Sequence, residues 1–478
     1  MGKNKYNELT QNTALFAIST FGSKIVIFFL LPLYTSVLST ESYGLADLMN
    51  TTAQLLIPIL TINVQDAVLR FSLDKKNNKD NVFSFSIIIV ACACLLLSIA
   101  LVILRNLRIF SFDQKYLFFL WGIFLCHGIY NVFAMFLKAT DKVKVLAVCG
   151  IINTAAIALL NIALLLWFKM GIDGYLIANV SGSAIAILCM FFGGKLYKNI
   201  HYSQWDKSLN RAMMLYSLPL IANSIAWWLN KASDRYILTY FCGAALNGIY
   251  AVSYKIPTIL ASVQTVFYNA WSVSAIAHYD PEDKDGFVSR VYQLYFGVSI
   301  IACSFIMVLN IPVAHFLYEK DFFSAWHYVP PLLVGTVFNG LALFEGCIFT
   351  AVKKTKTISR TTLIGAAINT ILNFALIPIL GAYGAAYATL IGYFTIWLIR
   401  AIKIRQYIKL RYSRFEFVAA IVLIFIQMMV AHYQNLVFVQ AIILLLLLVL
   451  YYKKIRMATN KIIATVKKFI AANRNKTR

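Results

Sequence analysis

Acidic residues are scarce in this 478-residue chain. It has 19 Asp and Glu against 43 Lys and Arg, and charged residues make up only 13% of the total. A soluble globular domain carries about a quarter charged residues, so a soluble enzyme or soluble binding module is excluded. The motifs of nucleotide, metal and redox chemistry are missing too. No Walker P-loop, GxGxxG, HExxH or CxxC occurs, so neither ATP hydrolysis nor a cofactor or metal site is expected. The eight cysteines, at 92, 94, 126, 149, 189, 242, 303 and 347, fall almost entirely within or at the ends of apolar runs. Cys92 and Cys94 are two apart and point to different helix faces, so the cysteines read as small core packers. None of the six His stands beside a Ser, Cys or Asp at a catalytic spacing. His127 and His315 read as packing or interface residues, and no enzymatic activity is expected. What the chain does have is 60% hydrophobic residues, with 35 Phe, 27 Tyr and 8 Trp. That excludes disorder and leaves an all-α polytopic membrane protein.

A membrane-spanning helix needs ~20 mainly apolar residues. Fourteen stretches qualify: 13–37, 44–68, 83–104, 116–137, 145–167, 174–194, 213–240, 248–275, 291–317, 329–351, 358–379, 382–402, 415–432 and 436–452. The first is longer than a signal-peptide core and no small-residue cleavage site follows, so it reads as a retained helix. Lys and Arg set the orientation. With the N-terminus cytoplasmic, 34 of the 43 cations fall in cytoplasmic segments, 5 outside and 4 within spans. Most of the formal charge of +24 is therefore an orientation signal, with both termini cytoplasmic, and not a nucleic-acid footprint. The loops are short, so no separate soluble domain is expected.

An internal repeat divides the chain. Gly171, Gly174, Ala178 and Gly182 match Gly381, Gly384, Ala388 and Gly392 with one spacing and a constant offset of 210. Ile152-Asn153-Thr154 and Ile368-Asn369-Thr370 add weaker matches upstream. The repeat maps spans 5–6 onto 11–12, so each unit holds six spans and both point the same way, a known transporter architecture. The expected organisation is 1–211 for an N-terminal lobe, 212–408 for a C-terminal lobe, 409–452 for an added hairpin and 453–478 for a basic cytoplasmic tail.

Charges inside spans cost ~2.5–3.5 kcal/mol each on insertion and are functional candidates by default. The cations are Lys24, Lys231, Arg235 and Lys255; the acids are Asp47, Asp66, Asp234 and Glu345. Asp234 can pair with Lys231 at i,i+3, and Asp66 with Arg70 at i,i+4. Arg235 can snorkel to the outer headgroups. For Lys24 and Lys231 two readings stand: a buried structural ion pair, or contact with an anionic substrate in a water-filled cavity. In-span Gln54, Asn63, Asn223, Ser224 and Asn230 suit either a cavity or interhelical hydrogen bonds. Pro32, Pro219 and Pro257 are candidate bending points.

Three groups of residues carry a family resemblance. Phe21-Gly-Ser-Lys24, Leu31-Pro-Leu-Tyr34 and Glu41-Ser-Tyr-Gly44 form the first. Ser217-Leu-Pro219, Asp234-Arg-Tyr-Ile-Leu238 and Gly248-Ile-Tyr250 form the second. The run Asn369, Asn373, Pro378, Gly381 and Gly384 is the third. Together they resemble bacterial oligosaccharide repeat-unit flippases of the O-antigen and capsule type, within the multidrug/oligosaccharidyl-lipid/polysaccharide exporter superfamily. The resemblance implies two six-helix MATE-like lobes around a central cavity lined by spans 1, 2, 7 and 8. It implies alternating access that moves an undecaprenyl-pyrophosphate-linked glycan to the outer leaflet of the cytoplasmic membrane. It also implies that Lys24, Lys231, Arg235 and Lys255 engage the pyrophosphate. Where relatives use Arg, Lys keeps the point charge and loses bidentate geometry. Implied partners are membrane lipids and polysaccharide polymerase machinery, and the implied state is a monomer. The alternatives are a cation-coupled drug exporter of the same superfamily, with Asp47, Asp66, Asp234 or Glu345 coupling to the ion, and a membrane polymerase or ligase, which would carry a large outer loop.

Overall fold

Hydrocarbon leaves backbone groups nothing to bond except one another, so an apolar chain favours helices, which close their hydrogen bonds within the segment. A computed structural model describes residues 22, 25–26, 28–74, 76–106, 114–201, 205–277 and 279–474, with side chains for all of these except 273, 277, 455 and 457–474. Among the described residues there is no β-strand.

The chain forms two units, Met1–Ala251 with Leu317–Phe322, and Val252–Phe316 with Phe323–Arg478. The first holds α1 (Leu31–Val37), α2 (Thr40–Leu60), α3 (Val64–Leu73), α4 (Lys79–Asn106), α5 (Lys115–Ala139), α6 (Val143–Ile162), α7 (Gly171–Gly193) and nearly all of α8 (Lys207–Ser253). The second holds α9 (Lys255–Ala277), α10 (Phe287–Val308), most of α11 (Asn310–Leu317), α12 (Val329–Ala351), α13 (Thr355–Leu380), α14 (Ala382–Ile404), α15 (Arg414–Val430) and α16 (Val437–Arg474). The seventh expected span therefore packs with the first unit. Packing divides the chain after Ala251, whereas the repeat divides it after residue 211.

Among the described residues ten helices are long and apolar enough to cross a membrane, or eleven if the bent pair α2 and α3 is one span. The chain is thus a multi-pass membrane protein, with fewer such helices than the fourteen expected. About half of the first expected span lies outside the described residues. Helix α15 has 17 residues, short of a full crossing. The stretch Lys207–Ile276 counts once, although its 70 residues contain both α8 and α9.

Breaks in the helices fall where the backbone demands them. Helices α2 and α3 meet at 57°, just after Pro58, with Ile62 and Asn63 at φ 52° and 51°. Of the three candidate bending points, Pro32 sits in the first turn of α1 and Pro257 is the third residue of α9. There proline removes no intrahelical hydrogen bond. Pro219 lies inside α8, but the non-helical residue of that helix is Gly243, at φ 87° and ψ 165°, a region open essentially to glycine alone.

The repeat glycines do the same work in both units. A Cβ at Gly182 would press on the backbone nitrogen of Ile157, and one at Gly174 on the carbonyl oxygen of Leu164. In the second unit a Cβ at Gly384 would run into the Leu376 carbonyl, and one at Gly392 would meet Cβ of Asn369. Small residues thus bring α7 against α6 and α14 against α13 at backbone distance. Gly171 and Gly381, which open the second helix of each hairpin, have φ 57° and 56°.

In the second unit α12 is the core: most of its residues, including Glu345, are buried. Trp271 of α9 stacks on Phe344 with centroids 4.3 Å apart, and Phe267 stacks on Tyr295 at 4.4 Å. Helix α15 docks through Gln427, which accepts from the Ser304 hydroxyl at 2.6 Å and donates to the Ser304 carbonyl at 3.0 Å. The added hairpin α15–α16 is thereby part of this unit.

Candidate substrate-binding site

The first unit contains a cavity of about 730 Å³. Helix α2 contributes Thr51 and Gln54, α5 His127 and Asn131, α6 Asn153, α7 Ser183, and α8 Trp227, Trp228, Lys231 and Arg235. Among the described residues no Asp or Glu lines it. His127, expected to be a packing residue, faces this space instead. Oδ1 of Asn153 is buried and has no hydrogen-bond partner among the described residues.

A seam between α2 and α8 holds the wall in place. At one end Gly44 and Gly248 face each other; a methyl on Gly44 would overlap the carbonyl oxygen of Ala244, and one on Gly248 that of Thr40. The Asn247 side chain donates to the Gly44 carbonyl at 3.2 Å. Further along, Arg235 Nη1 donates to Asp47 Oδ1 at 2.9 Å, and both side chains are 17% exposed. The hydroxyls of Thr52 and Tyr236 are hydrogen-bonded. Trp228 Nε1 donates to the Thr51 carbonyl at 2.8 Å. Side-chain anchors at Trp228, Arg235 and Tyr236 of α8 therefore fix which face of that helix looks into the cavity.

Each sequence-derived candidate now has a place. Lys231 lies on the cavity, exposed, with Nζ 5.7 Å from the Trp227 ring centroid. That is a cation–π contact, and among the described residues Lys231 has no ion-pair partner. The expected Lys231–Asp234 pair does not form. Asp234 is 2% exposed and turns away, accepting from the Tyr250 hydroxyl at 2.8 Å and from the Arg235 backbone N–H at 2.9 Å. Arg235 lines the cavity and pairs with Asp47, so it is not a snorkelling cation. Asp66 and Arg70 do not pair either: the Asn63 amide donates to Asp66 Oδ2 at 2.7 Å, and Arg70 is exposed. Lys255 belongs to the second unit, where it is the first residue of α9, within the apolar helical stretch Lys207–Ile276. Glu345 is 1% exposed in the second unit, with the Tyr292 hydroxyl 3.3 Å from Oε1. Lys24 lies outside the described residues.

Two residues escaped the sequence reading. Asp47 was grouped with the in-span acids but given no partner. Its partner is 188 positions away, beyond any local spacing rule. Arg400 was counted among cytoplasmic loop cations. It is 3% exposed and lies inside α14. Its guanidinium donates to Thr361 Oγ1 at 2.9 Å, Thr362 Oγ1 at 3.0 Å, the Ala342 carbonyl at 2.6 Å and the Ile358 carbonyl at 3.2 Å.

An acid-free cavity with an ammonium group, amides and indole faces can receive an anionic group together with hydroxyl-rich apolar rings. A family model described as polysaccharide biosynthesis protein matches residues 9–271. No curated protein matches the sequence significantly. Among solved structures the chain is similar to the lipid II flippase MurJ in its inward closed conformation, with TM-score 0.68 and 16% identity, covering 94% of this chain and 100% of that one. It is also similar to an inward-facing multidrug resistance MATE family transporter of the MOP superfamily, with TM-score 0.64 and 13% identity over 80% of this chain and 94% of that one. A MOP superfamily transporter from Pyrococcus furiosus aligns with TM-score 0.59 and 14% identity over 84% and 95%.

Proposed function

The chain belongs to the polysaccharide biosynthesis protein family and has the fold of MOP superfamily transporters, and from that premise we propose that it flips an undecaprenyl-pyrophosphate-linked oligosaccharide repeat unit. The direction is from the inner to the outer leaflet of a bacterial cytoplasmic membrane, with both termini cytoplasmic, by alternating access of two lobes. The protein works as a monomer and without catalysis.

The observation that carries this reading is Lys231, an ammonium group open to a polar cavity with no acid beside it. A pyrophosphate supplies the counter-charge that the protein withholds. Arg235 stands one turn away and keeps Asp47 as its partner, so it adds directional hydrogen bonds more than net charge. Gln54, Asn131 and Asn153 offer amides to sugar hydroxyls, and Trp227 and Trp228 offer faces to sugar C–H groups. Lys24 and Lys255 are carried as further pyrophosphate contacts on the sequence resemblance. Asp66, Arg70, Asp234 and Glu345 are carried as pairing or ion-coupling groups, with ions, membrane potential or the substrate gradient as the energy source. The cationic, acid-free lining does not favour the drug-exporter alternative, because cationic drugs need a carboxylate there.

The test is complementation of a strain lacking the gene, scored by lipid-linked repeat units and surface glycan. Lys231→Ala is expected to leave repeat units on the cytoplasmic leaflet, with normal protein in the membrane. Lys231→Arg is expected to restore most export. Normal surface glycan from a well-folded Lys231→Ala protein would overturn the role of this residue.

A further inference from the structure

The second unit has its own cavity, of about 290 Å³, at one end of its spans. It is lined by Arg405, which caps α14, Lys409 of the following connector, and Arg414, which opens α15. Ile404 and Ile408 form an apolar wall, and Glu345 lies at the buried end. The connector is held open in this shape. The Lys409 backbone N–H donates to the Pro281 carbonyl at 3.0 Å, the Arg411 N–H to the Ser289 hydroxyl at 2.7 Å, and Tyr279 to the Tyr407 carbonyl at 2.5 Å. The lysine is engaged, with Nζ 2.8 Å from Glu282. The two arginines have no ion-pair partner among the described residues. Glu345 is buried, with Arg400, Tyr292 and Trp397 around its carboxylate.

Two free guanidinium groups at a span end match a phosphodiester, which they grip bidentately. The apolar wall matches a glycerol backbone and the start of an acyl chain. Glu345 lines the buried end of this cavity, where its carboxylate can accept from a headgroup hydroxyl in addition to its protein neighbours. We infer that this cavity is a binding site for an anionic phospholipid whose headgroup bears free hydroxyls, the chemistry of phosphatidylglycerol. The phosphate is held by Arg405 and Arg414, and a headgroup hydroxyl donates to Glu345. The site is separate from the cavity of the first unit and does not depend on the transported substrate.

The experiment is native mass spectrometry of the full-length protein in detergent, titrated separately with phosphatidylglycerol, phosphatidylmethanol and phosphatidylcholine. Phosphatidylmethanol has the same charge without the hydroxyls. Phosphatidylglycerol is expected to bind about tenfold more tightly than phosphatidylmethanol, and both more tightly than phosphatidylcholine. Arg405→Gln/Arg414→Gln, which alters exposed side chains without other partners, is expected to weaken phosphatidylglycerol about tenfold or more. Equal binding of phosphatidylglycerol and phosphatidylmethanol to the unaltered protein would overturn the role of Glu345. Equal binding of phosphatidylglycerol and phosphatidylcholine, or unchanged binding by the double variant, would overturn the site. Soluble glycerol 1-phosphate, added as competitor, is expected to displace little; displacement at concentrations comparable to the lipid would identify a soluble phosphate as the occupant and overturn the lipid assignment.

Discussion

Two arginines buried among apolar helices have opposite environments. Arg400 of the second unit donates four hydrogen bonds to α12 and α13 and lines neither cavity described here. Arg235 of the first unit has one carboxylate across the α2–α8 seam and forms part of a cavity wall. A guanidinium has five N–H donors. Where neighbouring carbonyls and hydroxyls take them, the charge becomes part of the scaffold. Where an arginine stands on a cavity wall beside an uncompensated lysine, the pair can face a ligand. The same residue type therefore has a structural role in one unit and, on the proposed function, a binding role in the other.

The comparison predicts a graded set of effects. Arg400→Leu should be the most damaging, because it removes four bonds and leaves Glu345 without a neighbouring positive charge. The expected loss is about 3–5 kcal/mol, read as a fall in thermal unfolding temperature or in folded yield in detergent. Tolerance of this change would mean the Arg400 network is not part of the scaffold. Gly384→Ala comes next. It places a methyl against the Leu376 backbone and should cost about 1–3 kcal/mol through forced separation of α13 and α14. Its counterpart Gly174→Ala, against Leu164, should cost a similar amount if the repeat has one physical purpose. Asp47→Asn should cost about 1–3 kcal/mol, the penalty of leaving part of a buried charged pair uncompensated, and should change transport as well as stability. Arg400→Leu should differ in kind, because its transport loss should track its folding loss.

The smallest effect is expected at Asp206, which caps α8 by accepting from the N–H groups of Ser208 and Leu209 and from the Ser208 hydroxyl. The Ser208 hydroxyl bond first, and the backbone bonds with it, hold its carboxyl below the usual range. Its contribution is therefore present above the ordinary carboxylate pKa and lost as pH falls through the lowered value. Asp206→Ala should remove that slight acid sensitivity, measured as the pH dependence of the unfolding temperature.

The amino-acid pattern made the helical fold legible, and it exposed the glycine repeat, whose two copies turned out to share even the left-handed Gly171 and Gly381. It also singled out Lys231 and Arg235. What it missed was long-range pairing. Rules of i,i+3 and i,i+4 see only one helix, so they offered Asp234 to Lys231 and Arg70 to Asp66. The real partner of Arg235 lies on another helix, and Asp234 is satisfied by Tyr250. Arg400 was misplaced because a cation near a span end looks like an orientation signal, and only the surrounding hydroxyls and carbonyls identify it as buried scaffold. Proline was overvalued as a hinge for a similar reason. Its effect depends on its turn within the helix, and the break in α8 belongs to Gly243.

The central claim is that Lys231 is left uncompensated in order to hold a pyrophosphate. The direct measurement is binding of undecaprenyl pyrophosphate to purified protein, comparing the unaltered chain, Lys231→Ala and Lys231→Arg at matched unfolding temperature. Removing an exposed lysine should leave stability within about 0.5 kcal/mol. The account predicts that affinity falls about tenfold or more in Lys231→Ala, as for loss of one charge-assisted contact, and is largely regained in Lys231→Arg. Undiminished binding by a stable Lys231→Ala protein would contradict it.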